Sequence, residues 1–230
     1  MTRVIRTLLA STLLALPLAA TAQLSAPPTT AQPVNRPLVL PDFTHPGSVP
    51  QDLARVDASL NATQSFSGSF TQYGPDGTVE RGKAYLQRPG RMRFEYAAPN
   101  PLLVVADGVT LAYQDRALGT TDRVPLSATP FDYFLKENVN LAQDTEVVAF
   151  QKLPGEWRVT LRDGSGELDG TMTLVFDEGT LALRQWVTVD EFGGQTTVAL
   201  SDLRYNETLD PRLFVLREET GRRDRRRRRR

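Results

Sequence analysis

On either side of Pro89-Gly90 the chain alternates apolar and polar side chains, and a period of two around a turn-forming pair leaves little but a β-hairpin open to it. In a strand over 79–88, Gly82, Ala84, Leu86 and Arg88 share one face, while Arg81, Lys83, Tyr85 and Gln87 share the other. After the turn, Met92, Phe94 and Tyr96 point one way and Arg91, Arg93 and Glu95 the other. Arg88 therefore keeps company with the apolar set. An unpaired buried charge costs several kcal/mol, so a guanidinium placed there has three outlets. It snorkels to water at the sheet edge, it is paired permanently, or it makes a contact that a moving part breaks.

The same reading extends along the chain. Residues 102–106 form a short apolar strand, and Asp107-Gly108 is a tight turn into 110–115, where Leu111 and Tyr113 alternate with Ala112 and Gln114. A further strand is expected over 117–124. Beyond residue 144 the pattern is plain β, with strands over 145–150, 157–162, 171–176, 181–190 and 195–204 joined by Gly-rich turns. Regular short strands of this kind predict an antiparallel sandwich or barrel.

Two segments break the period. Residues 48–61 read as a helix, with Ser48 as N-cap, Pro50 in the first turn and Leu53, Val56 and Leu60 on one stripe. It packs on the sheet as an ordinary core helix or as part of a cover. Thr129-Pro130 opens a second, short helix, with threonine as N-cap and proline at the first helical position. Phe131, Phe134 and Leu135 give it an apolar side. Isolated helices shorter than about 12 residues rarely hold, so this one must dock, either as a fixed helix filling the core or as one that could undock at little cost. Over the inner face of the sheet, its free C-terminal carbonyls would be natural acceptors for Arg88.

The flanks carry other information. Residues 1–22 read as a secretory signal, with Arg3 and Arg6 ahead of an apolar run over 8–18 and a small-residue cleavage site at Ala20-Thr21-Ala22. An eleven-residue run is too short to span a bilayer, so a soluble, exported protein is expected. Residues 23–47 form a flexible Pro-rich linker that holds His45, the only histidine, which is expected to be solvated. The folded domain is expected over 48–219 and a disordered Arg-rich tail over 220–230. With no cysteine in the chain, disulfides, thiol catalysis and an acylated N-terminal cysteine are all excluded. The neutral overall charge conceals a division. Residues 23–221 hold 17 basic against 26 acidic side chains, whereas the last nine residues hold eight arginines and one aspartate. Such a tail is solvated, or it is drawn to anionic lipid or an acidic partner. Nucleic acid is not an expected partner of an exported protein.

The order and spacing of several short motifs resemble the periplasmic outer-membrane lipoprotein carrier family (LolA). The matching residues are Phe70-Thr71-Gln72, Gly82, the run from Arg88 to Tyr96, Pro99, Asp107-Gly108 and Thr110-Leu111. They continue through Thr129-Pro130-Phe131 and Leu209-Asp210-Pro211-Arg212-Leu213-Phe214, so the likeness spans about residues 49–216. Where members of the family usually carry an aromatic pair after the Thr-Leu, this chain has Ala112 and Gln114, which leaves less aromatic area.

The resemblance implies a mainly β fold with a few helices: an incomplete, curved antiparallel barrel whose concave opening the helices cover. It implies an acyl-chain cavity, lined here by Leu86, Met92, Phe94, Tyr96, Leu111 and Tyr113. It implies a lid helix carrying Pro130, Phe131, Phe134 and Leu135, latched shut by Arg88 in the empty state. As partners it implies acylated lipoproteins as cargo and an inner-membrane lipoprotein-releasing ABC transporter as donor. Delivery would be to an outer-membrane acceptor lipoprotein or to the outer membrane directly, by a monomer without cofactor or metal. A regulatory protein of the same fold, sensing lipid or lipoprotein, is the alternative. The sequence holds no Gly-x-Ser-x-Gly, His-Glu-x-x-His or phosphate-loop pattern, so no enzyme is expected.

Overall fold

The computed structural model describes residues 49–216. The expected signal, the linker with His45, the Ser48 cap and the basic tail lie outside the described residues. The described chain forms one eleven-stranded sheet, antiparallel at every pairing and not closed into a barrel.

Helix α1 (Val49–Ala62) comes first and buries Leu53, Val56 and Leu60, the three residues of its apolar stripe. Six strands follow as a run of hairpins: β1 (Ser65–Tyr73), β2 (Val79–Gln87), β3 (Arg91–Tyr96), β4 (Leu102–Asp107), β5 (Thr110–Asp115) and β6 (Thr120–Pro125). A covering segment then holds a 3-10 turn (Leu126–Ala128) and two four-residue helices, α2 (Asp132–Leu135) and α3 (Leu141–Asp144). Five more strands complete the sheet: β7 (Glu146–Leu153), β8 (Glu156–Arg162), β9 (Thr171–Asp177), β10 (Leu183–Val189) and β11 (Gln195–Tyr205). The spatial order runs from β6 back to β1 and then from β11 back to β7. Only the β1–β11 pairing joins strands distant in sequence. The two free edges are β6 and β7, and the chain linking them is the covering segment.

Ring contacts reveal how strongly the sheet curves. Phe94 on β3 and Trp186 on β10 meet with ring centroids 5.6 Å apart, although three strands lie between theirs. In a flat sheet four strand spacings would hold those strands about 19 Å apart. The inner face is therefore concave, and one apolar core fills it. Gly82 makes room at its centre, because a Cβ there would strike the Glu95 carbonyl oxygen and the Phe70 ring. On the outer side, the segment through Leu209 and a second 3-10 turn (Pro211–Phe214) lies against β3 and β4, burying Leu209 and Phe214. There the Arg93 guanidinium donates to the Leu213 carbonyl at 3.1 Å.

The structure corrects the covering segment in two respects. Thr129 does not cap the short helix: its hydroxyl donates at 2.7 Å to the Leu126 carbonyl, which also accepts from the Thr129 N–H as the preceding 3-10 turn closes, and α2 begins three residues later with Phe131 at its N-cap. Helix α3 was not expected at all. Its N-cap is Asn140, whose side chain accepts from Gln143 N. The strand expected over 117–124 is β6, which begins at Thr120 and ends in Pro125.

Candidate functional site

The concave face has an aromatic floor. Phe70 on β1 meets Phe94 and Tyr96 edge to face at 4.9 and 5.0 Å, and Phe94 meets Trp186. Geometries of this kind suit the ring quadrupoles as well as the burial of area. Leu86, Met92, Phe94, Tyr96 and Leu111, the residues expected to line a cavity, are all buried on this face. Tyr113 shares their side of the sheet, in register with Val104, but sits towards the β6 edge at 37% exposure.

The cover fills the hollow. Phe134 of α2 is 1% exposed and packs on Trp186 at 5.8 Å, while Phe131 touches both rings at 6.1 and 6.2 Å. Leu135 is buried, and Pro130 stands partly exposed just before the helix. A cavity of about 20 Å³ remains, bounded by Leu60, Phe66, Leu86, Arg88, Phe134 and Leu183. That is room for about one water, not for an alkyl chain.

Arg88 follows β2 and is 7% exposed, one of the few charged side chains buried in the domain. Its Nη1 donates to the Lys136 carbonyl at 2.7 Å, at the C-terminal end of α2, and its Nε to the Thr63 carbonyl at 2.9 Å, just past α1. Backbone bonds reinforce both contacts, with Gly90 N donating to Leu135 O and Arg88 N to Gln64 O, each at 2.8 Å. One guanidinium thus satisfies carbonyls at the ends of both helices, where no intrahelical donor exists and positive charge is favoured. The ends are supported from behind. Lys136 pairs with Asp144 at 2.8 Å, and Asn61 of α1 both donates to and accepts from the Val139 backbone.

Helix α1 is also held by contacts of its own. Asp52 in its first turn is buried and ion-paired with Lys152, and Arg55 and Lys152 both lie over the Trp157 ring, at 4.8 and 4.5 Å. Ser59 donates to the Leu181 carbonyl at 2.7 Å. Helix α2 is held through the Arg88 region, the Lys136–Asp144 pair at its end and its aromatic packing.

Burial pushes the Arg88 guanidinium down from its ordinary value to about 10. The sign follows from the charge: burial penalises the cation in the folded state only, and that penalty is relieved as pH rises through about 10. Across the neutral range the side chain stays charged and the contact does not titrate. Binding of an apolar dye to the protein is therefore expected to be flat from about pH 6 to pH 9. A step in dye fluorescence within that range would mean that another group controls the cover.

Sequence reasoning missed Phe70 and Trp186 as parts of the floor and Thr63 as an acceptor; among the C-terminal carbonyls expected to accept from Arg88, the one that does so is that of Lys136. Trp186 carried a signal in its size and strand position, but a register shift between Leu183 and Gln185 obscures which side it faces. The acceptors are backbone carbonyls, for which residue type gives no signal.

Residues 61–217 match the family profile of the outer membrane lipoprotein carrier protein LolA. An outer-membrane lipoprotein carrier protein of Legionella pneumophila (strain Corby) is 28% identical over 186 residues, covering 72% of this chain and 85% of that one. One from Pseudomonas paraeruginosa (strain DSM 24068 / PA7) is 25% identical over 176 residues, covering 70% and 81%. Among solved structures, a LolA superfamily protein from Nitrosomonas europaea aligns with 10% identity and a TM-score of 0.42, over 71% of this chain and 97% of its own. With the family profile matched across nearly the whole described domain, this chain belongs to the LolA family of outer membrane lipoprotein carrier proteins.

Proposed function

We propose that the protein is a periplasmic carrier that takes acylated lipoproteins from an inner-membrane ABC transporter and delivers them to the outer membrane, through an acceptor lipoprotein or directly. The observation that carries this reading is the buried Arg88 guanidinium, which holds the end of a four-residue helix over an aromatic hollow. The names of the relatives support it.

The energetics fit a shuttle. Burying one methylene is worth roughly 0.8 kcal/mol, so about 12 methylenes of an acyl chain come to roughly 10 kcal/mol, and free cargo does not cross water. A pocket that only shielded the chain would never let it go. When Phe131, Phe134 and Leu135 vacate the hollow, an acyl chain takes their place on Phe94 and Trp186; when the cargo leaves, they return. A cover that re-closes lowers net affinity by its own closing free energy, and charged hydrogen bonds of about 1.5–3 kcal/mol each are the right size for that competition. No catalytic step is assigned. Loading depends on work done by the donor.

The test is to isolate the protein from periplasm under mild conditions and identify by mass spectrometry what accompanies it. Acylated lipoproteins, lost when their acyl chains are removed, are the expected cargo. Recovery of one regulatory protein without acylated cargo would support the sensing alternative, and turnover of an added lipid would point to an enzyme.

A further inference from the structure

The outer face carries a second site, remote from the aromatic hollow. At β1 the outward side chains shrink to Ser67 and Ser69 on either side of Gly68, and larger neighbours wall this trough. Lys83 and Tyr85 stand on β2, opposite Ser69 and Ser67, while Arg204 and Asp202 stand on β11. Together they enclose a cleft of about 200 Å³. The cleft sits on a bulge, where two residues of β11, Asp202 and Leu203, face Gly68 alone, and Asp202 is held in the left-handed region at φ 53°. Bulges re-aim side chains and cluster at functional positions.

The charges of this cleft are unspent. Lys83 donates only to the Ser69 hydroxyl, at 3.1 Å, and neither Lys83 nor Arg204 is ion-paired among the described residues. Asp202 accepts one long bond from its neighbour Ser201, at 3.4 Å. Glu207 takes the Ser67 hydroxyl at 3.3 Å, so it leans on the floor of the trough. The two cations flank β1 from strands about 10 Å apart, close enough for both side chains to reach one tetrahedral oxyanion above the serines. A simple anion site would be poorly served by the carboxylate beside it. A ligand carrying an ammonium a short linker away from its phosphate uses both.

We propose that this cleft binds a zwitterionic phosphoethanolamine group, its phosphate on Lys83, Arg204 and the Ser69 hydroxyl and its ammonium on Asp202. The group could belong to a membrane lipid headgroup or to a free phosphoethanolamine. The site is independent of the concave hollow, and its failure would leave the carrier reading untouched.

Titration calorimetry of the whole protein with O-phosphoethanolamine, inorganic phosphate and ethanolamine tests the idea. Phosphoethanolamine should bind at least about tenfold more tightly than phosphate, the scale of one charge-assisted contact. Lys83→Gln and Arg204→Gln should each weaken it by about tenfold or more. Asp202→Asn, which keeps a residue tolerant of positive φ, should bring phosphoethanolamine down to the level of phosphate. Unchanged thermal midpoints check that each variant is folded. Sedimentation with phosphatidylcholine vesicles, with and without phosphatidylethanolamine, separates the sources: selective pelleting identifies the lipid headgroup, and binding of the soluble compound alone identifies the free one. Equal affinity for phosphate and phosphoethanolamine, no effect of Asp202→Asn, or no binding at all would overturn the proposal.

Discussion

Replacing Arg88 with leucine is expected to leave the sheet folded and to raise the binding of an apolar dye by the empty protein severalfold. The substitution removes both guanidinium bonds and leaves the Thr63 and Lys136 carbonyls without their donor, in a region with space for about one water. Each charged bond is worth about 1.5–3 kcal/mol, and part of that gain is offset because the buried cation no longer has to be desolvated. A net loss of about 2 kcal/mol from the closed state shifts its balance with the open state about 30-fold. Arg88→Lys should fall between, since a compact ammonium cannot span two acceptors as a planar fork does. Dye binding equal to that of the unsubstituted protein would count against Arg88 as the latch.

The second large effect separates cover from floor. Phe70 and Phe134 are each 1% exposed, so by burial alone their truncation to alanine should cost the same, about 3–5 kcal/mol. Their places in the fold differ. Phe70 lies on β1, at the middle of the sheet, in contact with Phe94 and Tyr96. Phe70→Ala is therefore expected to lower the thermal midpoint by about 10 °C, the full cost spread over a domain of this size. In the proposed carrier Phe134 belongs to a segment that opens without the sheet, so a substitution there would cost no more than the free energy of docking that segment. Phe134→Ala should lower the midpoint by less than half as much while increasing dye uptake. Equal losses of midpoint, with no added dye binding by Phe134→Ala, would mean that α2 is a fixed part of the core.

What could be read in the sequence was what neighbouring residues decide. The alternation through Val79–Gln87 and Arg91–Tyr96 marked two strands and the inward set of Leu86, Met92, Phe94 and Tyr96, because a period of two admits no other regular structure. Arg88 stood out by the same rule, as a charge continuing an apolar face. Partners brought from a distance were not legible. The pairing of β1 with β11 closes a separation of more than a hundred residues, and no local pattern encodes it. The Thr129 hydroxyl, expected to accept from an N–H at a helix N-terminus, instead donates to a carbonyl of the unexpected 3-10 turn at Leu126–Ala128. Helix α3 is too short for periodicity to register. Trp186 joined the floor only because curvature carries β10 across to β3.

The two tryptophans divide the labour of a direct test, since Trp157 lies under the Arg55 and Lys152 cations and Trp186 lies against the cover. In a Trp157→Phe variant the remaining fluorescence comes from Trp186, the residue that cover and cargo would contest. Titration with a triacylated lipopeptide should give a saturable change in its emission, absent with the same peptide stripped of its acyl chains. An emission that ignores the acylated peptide, while that peptide binds elsewhere or not at all, would contradict the claim that the concave hollow opens to receive acyl chains.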